Sequence, residues 1–309
     1  MHQKSVRREY RNVLRLWEPA DIVLKIVLRL SLMTFLSGCS HLFFYPTRTL
    51  VQTPEQVGLA YEDIYFQSGD GIKLNGWFLP ATSGKAIATV LLLHGNAQNI
   101  STHLASVAWL PAEGYNVFLF DYRGYGLSQG QPTFSGAIAD SEAALGLLST
   151  RPDLRCQPII LFGQSLGAAF SVHVAAHTAY RARLAGVLVD SAFADYRLIY
   201  RDVAAQSWLT WWLQWPWAYA IDNRYSPLHS VANVSPLPIF FLHSEQDAVI
   251  PVEHSRLLYS RGQEPKTLFT TDQGAHIAST LQPEVKRIVL DWFRAQASLR
   301  ICDDFNSKR

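Results

Sequence analysis

From about Ala60 onward, the chain alternates short apolar runs with segments that have the periodicity of amphipathic helices. Six of the runs are apolar on both faces, which is typical of strands buried in a parallel sheet. These runs are 88–93, 115–120, 158–162, 184–189, 238–242 and 266–270. Helical patterns occupy residues 99–113, 136–150, 166–178, 252–261 and 283–297. Strands that alternate with helices predict βαβ units, and therefore an α/β domain with a mostly parallel sheet.

Two further segments precede the parallel pattern, and one gap interrupts it. Residues 61–67 and 72–79 alternate in polarity around the turn 68–71, which predicts an antiparallel pair. The gap contains Trp208, Trp211, Trp212, Trp215 and Trp217, and we interpret it as a lid at about 192–235. The predicted organisation is therefore an export segment at 1–39, a linker at 40–59, the α/β domain at 60–300 and a tail at 301–309.

Composition excludes several classes of protein. Hydrophobic residues make up 49% of the chain and charged residues 17%, so a large core can form. The net charge is only +2, and no run of lysine and arginine is interleaved with aromatic residues, so nothing favours nucleic-acid binding. The spacing of Cys39, Cys156 and Cys302 fits neither a metal cluster nor a disulfide framework, and we predict no metal site.

The N-terminal segment has the order of a secretory signal. Basic residues come first, apolar residues follow up to Leu36, and the sequence then reads Leu36-Ser37-Gly38-Cys39. These four positions resemble the lipobox of bacterial lipoprotein precursors. The resemblance implies a lipid on Cys39 and a membrane anchor in the cell envelope, and Ser40 resembles a signal for the periplasmic face of the outer membrane. Alternatives are an uncleaved transmembrane anchor, which Lys25 and Arg29 would interrupt, and an amphipathic helix packed on the domain.

Two stretches match the pattern G-x-S-x-G. Ser165 lies in Gly163–Gly167, between an apolar run and a helical start, and this is the setting of a nucleophile elbow. Ser128 lies in Gly126–Gly130, which follows a glycine-rich segment and precedes Gln131-Pro132. The second stretch therefore has the features of a loop, and we predict Ser165 as the nucleophile.

A serine nucleophile needs a base, and the base needs an acid that orients it. In this arrangement the chain order is serine, acid, histidine. His276 follows the last strand and is the predicted base, with His243 and His254 as competitors. Asp247, just past the strand 238–242, is the predicted acid. Its rivals are Asp190, at the end of the preceding strand, and Glu245.

An oxyanion hole needs two N–H groups directed at the developing negative charge. We predict the main-chain N–H groups of Leu166, the residue after the nucleophile, and of Asn96, in the loop His94–Ala97 after strand 88–93.

These motifs together resemble the α/β-hydrolase superfamily. They also resemble a bacterial membrane-associated group with the motifs H-G-N-A, F-D-Y-R-G-Y-G and G-Q-S-[IL]-G, here His94–Ala97, Phe120–Gly126 and Gly163–Gly167. The resemblance implies an eight-stranded sheet and the positions of the triad, but it does not imply a substrate. Our leading hypothesis is a hydrolase of small-molecule carboxylic esters that forms an acyl-enzyme on Ser165 and needs no cofactor. A serine aminopeptidase-like activity and a non-catalytic, lipid-anchored envelope protein remain alternatives. The oligomeric state is left open.

The tryptophan-rich gap has three interpretations. Its spacings of three and four residues would place Trp208, Trp211, Trp212 and Trp215 on one face of a helix. That face could pack on the edge of the sheet, contact a bilayer interface or line an acyl pocket.

Overall fold

The computed structural model describes residues 42–155 and 157–298. They belong to the second of the two units into which the chain divides, Ser40–Arg309, the first being Met1–Cys39. The predicted export segment with Cys39, and likewise Cys156 and the tail with Cys302, lie outside the described residues.

Eight strands form one sheet, and apolar side chains dominate its central strands. The strands are β1 Glu62–Gln67, β2 Lys73–Leu79, β3 Thr89–Leu93, β4 Asn116–Asp121, β5 Ile159–Gln164, β6 Leu184–Asp190, β7 Ile239–Ser244 and β8 Lys266–Thr271. Their order across the sheet is β8-β7-β6-β5-β3-β4-β2-β1. Strand β2 runs antiparallel to both β1 and β4, and all other neighbours are parallel. The predicted mostly parallel sheet of eight strands is therefore confirmed.

Helices cover the sheet. They are α1 Ile100–His103, α2 Phe134–Thr150, α3 Leu166–His177, α4 Tyr196–Ala205, α5 Gln214–Ala220, α6 Pro227–Ser230, α7 Glu253–Arg261 and α8 Pro283–Ser298. Val90 and Leu92 of β3 pack in a core cluster with Val289 and Phe293 of α8. Because side chains alternate along a strand, the buried neighbour Leu91 projects to the opposite face of the sheet.

The helix predicted at 99–113 is wrong in extent. Only Ile100–His103 is α-helical, and 3-10 turns at Leu104–Ser106 and Pro111–Glu113 complete the segment. Proline lacks an N–H for a helical hydrogen bond, and Gly114 adopts the left-handed conformation that ends the second turn.

The described part of the predicted linker packs on the domain. Phe44 is buried, with its ring against Tyr125 and Phe170. Tyr45–Pro46 forms a short parallel pair with Ala97–Gln98, in the loop that follows β3. The chain therefore reaches the domain at the edge of the sheet where the β3 loop lies.

The insertion between β6 and β7 contains α4, α5 and α6. Helix α4 ends at Ala205, Trp208 lies in a turn, and a 3-10 turn at Trp211–Leu213 precedes α5. The prediction that the tryptophans share one helical face is therefore wrong. Their rings are exposed, from 83% for Trp208 to 52% for Trp215, so they do not pack on the edge of the sheet. Within residues 42–155 and 157–298, no helix combines the length and hydropathy needed to cross a bilayer.

Candidate active site

Ser165 occupies a strained turn between β5 and α3. Its backbone has φ +54° and ψ −115°, a conformation that residues other than glycine rarely adopt. Its N–H donates to the carbonyl of Asp190 at the end of β6, across 2.9 Å, which fixes the turn against the neighbouring strand. The side chain is almost buried, at 6% exposure. This is the geometry of a nucleophile elbow, in which a hydroxyl is held at the carboxyl end of a parallel sheet.

The glycines of the motif are required by close backbone approaches. A Cβ on Gly167 would lie 2.0 Å from the carbonyl oxygen of Leu93, at the end of β3. A Cβ on Gly163 would lie 2.3 Å from the hydroxyl of Ser171 in α3. Helix α3 can therefore begin directly against β3 and β5 only because both positions lack a side chain.

The second G-x-S-x-G stretch, which contains Ser128, has a structural role. Ser128 is fully buried, and its hydroxyl donates to the carbonyl of Asp121 across 2.6 Å. The same oxygen accepts the N–H of Asn75 in β2, across 2.9 Å. The hydroxyl thus connects the loop after β4 to β2.

Asp247 and His276 form a hydrogen-bonded pair. The Oδ2 atom of Asp247 lies 2.7 Å from Nδ1 of His276, and its Oδ1 accepts the N–H groups of Val249 and Ile250. Burial alone would raise the pKa of Asp247, but hydrogen bonds from His243 and His276 and the charge of the His276 ring hold it well below its usual range. An ionised Asp247 accepts a hydrogen bond from the N–H at Nδ1, so Nε2 of His276 carries the free lone pair.

The competing histidines have other principal partners, although Nε2 of His243 also lies 3.5 Å from Oδ2 of Asp247. His243 donates from Nε2 to the carbonyl of Ile250, across 2.9 Å, and its Nδ1 lies 2.7 Å from the hydroxyl of Ser255. His254 accepts the N–H of Ala194 at Nδ1 and bonds Asp202 through Nε2, across 2.8 Å. In each of these two rings, both nitrogen atoms have a hydrogen-bond partner other than Ser165.

The competing carboxylates also have other partners. Asp190 is buried and accepts the amide of Gln164 across 3.2 Å. Burial raises the pKa of Asp190 to about 6, although Gln164 and the charge of His276 act in the opposite direction. Glu245 pairs with Arg256 across 2.7 Å. Of the candidate acids, Asp247 is the one hydrogen-bonded to His276.

Gln164 joins the serine and histidine loops, and the sequence analysis did not assign it a role. Its amide nitrogen donates to Asp190 and, across 3.3 Å, to the carbonyl of Ile277. The residue before Ser165 is thereby bonded to the residue after His276. Its side-chain oxygen lies 3.4 Å from Nδ1 of the buried His103. Its position inside the G-x-S-x-G motif was the one signal available in the sequence.

The loop after β3 lies beside Ser165. A Cβ on Gly95 would be 3.6 Å from the Cβ of Ser165. Nδ1 of His94 donates to the carbonyl of Gly95 across 2.7 Å. That carbonyl shares a trans peptide with the N–H of Asn96, so the bond fixes the direction of the N–H as well. Leu166 is the first residue of α3, where an N–H has no intrahelical acceptor.

Side chains of the motif Phe120–Gly126 form hydrogen bonds with this loop and with the start of α1. The hydroxyl of Tyr125 donates to the carbonyl of Asn96 across 2.7 Å, and that of Tyr122 to the carbonyl of His94 across 3.3 Å. Oδ1 of Asp121 accepts the N–H of Ile100, across 2.9 Å, where α1 begins. These three contacts therefore fix the loop that contains Asn96, the predicted oxyanion donor.

Asp121 and His94 are a buried pair without a direct hydrogen bond. Nε2 of His94 lies 3.7 Å from Oδ1 of Asp121, and both side chains are fully buried. Among the described residues, Nε2 of His94 and Oδ2 of Asp121 have no hydrogen-bond partner. Burial raises the pKa of Asp121 to about 7 and lowers the pKa of His94 well below its usual value. The environment therefore favours the neutral form of both groups.

The sequence of this chain is similar to a known family and to proteins of other organisms. The family model described as "Serine aminopeptidase, S33" matches residues 84–233. The protein YfhR of Escherichia coli K12 is 38% identical over 238 residues, which cover 76% of this chain and 79% of YfhR. The "Alpha/beta hydrolase domain-containing protein WAV2" of Arabidopsis thaliana is 30% identical over 219 residues, covering 68% of this chain and 69% of WAV2.

Solved esterases have the same fold. The Pyrococcus furiosus esterase Pf2001 superposes with a TM-score of 0.64 and 21% identity, covering 84% of this chain and 98% of the esterase. The esterase domain of a Rhodothermus marinus protein superposes with a TM-score of 0.56 and 20% identity, covering 78% and 99% of the two chains. The eight-stranded sheet and its flanking helices are therefore those of α/β hydrolases.

Proposed function

The chain belongs to the α/β-hydrolase superfamily, and from this membership we propose that it is a serine esterase that forms an acyl-enzyme on Ser165. The observation that carries the proposal is the combination of a strained Ser165 with the pair of Asp247 and His276 at 2.7 Å. The fold shared with solved esterases supports a carboxylic ester of a small molecule as the substrate.

In the acylation step, the hydroxyl oxygen of Ser165 attacks the acyl carbonyl of the ester. His276 takes the hydroxyl proton at Nε2, and Asp247 stabilises the imidazolium that results. The carbonyl oxygen becomes an oxyanion, which the N–H groups of Asn96 and Leu166 stabilise by hydrogen bonds. When the tetrahedral intermediate collapses, His276 returns the proton to the leaving alcohol.

Water then deacylates the enzyme. His276 removes a proton from the water, whose oxygen attacks the acyl carbon, and the same oxyanion donors act again. The carboxylic acid leaves and Ser165 regains its proton. The orientation of the Gly95–Asn96 peptide by His94 supports this step, because a donor that is already aligned need not reorganise as charge develops.

The test is covalent labelling with a fluorophosphonate, together with hydrolysis of p-nitrophenyl butyrate. Ser165→Ala should lose both activities, while the control Ser260→Ala, at an exposed serine of α7, should keep both. Labelling that persists in Ser165→Ala would refute the assignment of the nucleophile. A wild-type protein that is folded but neither labels nor hydrolyses would favour the non-catalytic envelope protein instead.

Peptidase activity is the second candidate, because the matching family model is described as a serine aminopeptidase. Such an enzyme would use the same acyl-enzyme chemistry on an amide with a free amino group. Aminoacyl p-nitroanilides, assayed beside p-nitrophenyl esters, separate the two. A higher kcat/KM for the anilides would replace the esterase proposal.

We also propose that the enzyme is anchored in the cell envelope by a lipid on Cys39, at the periplasmic face of the outer membrane where the host has two membranes. The support is the sequence Leu36–Cys39 at the end of an apolar run, followed by Ser40. The acyl chains of a lipoprotein anchor more firmly than a single chain, because stable anchoring requires more than one lipid signal.

A further inference from the structure

The insertion between β6 and β7 carries a concentrated apolar surface. We define the tryptophan patch by its exposed large side chains: Trp208, Leu209, Trp211, Trp212, Trp215 and Tyr219. Each of them is at least 52% exposed, and Trp208 is 83% exposed. Soluble monomers seldom leave so many large apolar side chains together in water, so a surface of this kind marks a contact with something else.

The patch is free of charge along its whole length. Residues 203–221 contain no Asp, Glu, Lys, Arg or His. Charged residues lie at its ends, where Asp222 bonds Arg224 and Asp202 bonds His254, each across 2.8 Å, and where Arg201 stacks on Trp215. The patch thus presents apolar and amphipathic aromatic rings, and none of its own side chains is charged.

The shape of the segment suits a surface that lies on a bilayer and does not cross it. Helix α5 has seven residues, or about 10 Å of helix, against about 30 Å of hydrocarbon. Trp and Tyr are enriched at the boundary between hydrocarbon and head groups, where an apolar ring carries a polar N–H or hydroxyl. Arg201 stacks its guanidinium 3.6 Å above the ring of Trp215, an arrangement that keeps the charge at the edge of the apolar surface.

Chain length limits how far Cys39, the predicted anchor, can lie from the helix that leads to the patch. Phe43 packs its ring on Tyr196, the first residue of α4, at a centroid distance of 5.4 Å. From Cys39 to Phe43 the chain spans at most about 14 Å, and α4 is about 15 Å long and leads from Tyr196 toward the patch. A protein tethered before Phe43 therefore carries the tryptophan patch within reach of the membrane surface.

We infer that the tryptophan patch is a membrane-docking surface that inserts into the interfacial layer of a lipid bilayer. The lipid on Cys39 supplies the tether, so this part of the inference rests on the proposed anchor, and the patch holds the domain against the lipid. Its occupant is the head-group and upper acyl region of zwitterionic lipids, and docking should depend little on salt because the patch itself carries no charged side chain. The inference does not depend on the chemistry of Ser165.

The experiment uses the full chain in phosphatidylcholine vesicles whose acyl chains carry bromine close to the glycerol backbone. Bromine quenches only tryptophans that enter the lipid. The variant W208F/W211F/W212F removes three fluorophores from the patch and keeps its apolar character. The control W17F removes the tryptophan of the N-terminal segment, and Ser165→Ala tests independence from catalysis.

We expect quenching in the wild type, W17F and Ser165→Ala, and loss of most of that quenching in W208F/W211F/W212F. Hydrolysis of soluble p-nitrophenyl butyrate by the triple variant should match the wild type, which reports an intact fold. Quenching that survives in the triple variant and disappears in W17F would overturn the inference. So would protection of the patch from aqueous acrylamide without lipid, together with a dimer in solution, since a second copy would then cover it.

Discussion

The side-chain amide of Gln164 donates to the main-chain carbonyl of Ile277 across 3.3 Å, which links the loops that carry Ser165 and His276. We expect Gln164→Met to lower kcat on the order of a hundredfold, because a misplacement of about 1 Å between base and nucleophile has an effect of this size. The free energy of unfolding should also fall by about 1–3 kcal/mol, since Asp190 loses a buried hydrogen bond.

The control for this prediction is Gln246→Met, an exposed glutamine near the same edge of the sheet. Steady-state kinetics with p-nitrophenyl butyrate and urea unfolding measure the two effects. Equal kcat for Gln164→Met and the wild type would mean that the Gln164–Ile277 bond does not position the catalytic residues.

Asp247 should orient His276 through the 2.7 Å bond to Nδ1. Asp247→Asn offers an amide donor or a weaker acceptor in its place, so it favours the wrong tautomer of the ring. We expect kcat to fall on the order of ten thousandfold while the fold is retained. The matched control Glu245→Gln removes a neighbouring carboxylate that pairs with Arg256 and should leave kcat unchanged. A nearly wild-type Asp247→Asn beside an inactive Asp190→Asn would identify Asp190 as the acid.

Tyr125 should act through the loop that contains Asn96. Tyr125→Phe removes only the hydroxyl that donates to the carbonyl of Asn96 across 2.7 Å. We expect kcat to fall by up to about tenfold with little change in KM, because the loop contributes to the transition state more than to substrate binding.

The matched control for Tyr125 is Tyr115→Phe. The hydroxyl of Tyr115 is buried and has no hydrogen-bond partner among the described residues, so its removal should not lower kcat. Measurements of kcat and KM on both variants test whether the Tyr125 hydroxyl contributes to catalysis. A proportional rise of KM in Tyr125→Phe would indicate a role in substrate binding instead.

The sequence contains enough information to predict the sheet and the order of the catalytic candidates. Apolar runs such as 158–162 mark buried strands because both faces of a parallel strand are covered. The residues that follow such strands lie at one edge of the sheet, so Ser165 and His276 could be selected by position alone. The bond from Tyr125 to Asn96 joins residues 29 positions apart, and a loop tyrosine has no periodic pattern that predicts its partner.

The tryptophan segment could not be predicted because its spacing is misleading. The hydroxyl of Thr210 donates to the carbonyl of Ala204 across 2.7 Å, so a side chain satisfies a carbonyl at the end of α4. Pro216 has no N–H to continue a helix from Trp212, but it is tolerated in the first turn of α5. The spacing of the tryptophans predicts one continuous helix, but local hydrogen bonding ends α4 at Ala205 and α5 begins only at Gln214.

Cys39 should carry the lipid anchor. In a bacterial host fed an alkyne fatty acid, we expect the wild type to be labelled and Cys39→Ala to lose the label, because the thiol is the proposed attachment site. Cys302→Ala removes a cysteine from the other end of the chain and should be labelled like the wild type. Equal labelling of Cys39→Ala and the wild type would rule out lipid attachment at this residue.

Asp121 should make stability depend on pH. Its pKa is raised by burial from 3.8 to about 7, so between these values the folded protein holds a proton that the unfolded chain has released. The contribution of Asp121 to the free energy of unfolding is then fully present below pH 3.8 and is lost as the pH rises through about 7, by at most roughly 4 kcal/mol.

The variant Asp121→Asn keeps an oxygen for the N–H of Ile100 but does not titrate. We expect the difference between urea unfolding at pH 5 and at pH 8 to shrink in this variant, while Asp291→Asn, an exposed carboxylate in α8, leaves the difference unchanged. The buried Asp190, with a pKa of about 6, would account for the pH dependence that remains. If Asp121→Asn retains the full wild-type difference, the carboxyl of Asp121 is ionised across this range and another group causes the effect.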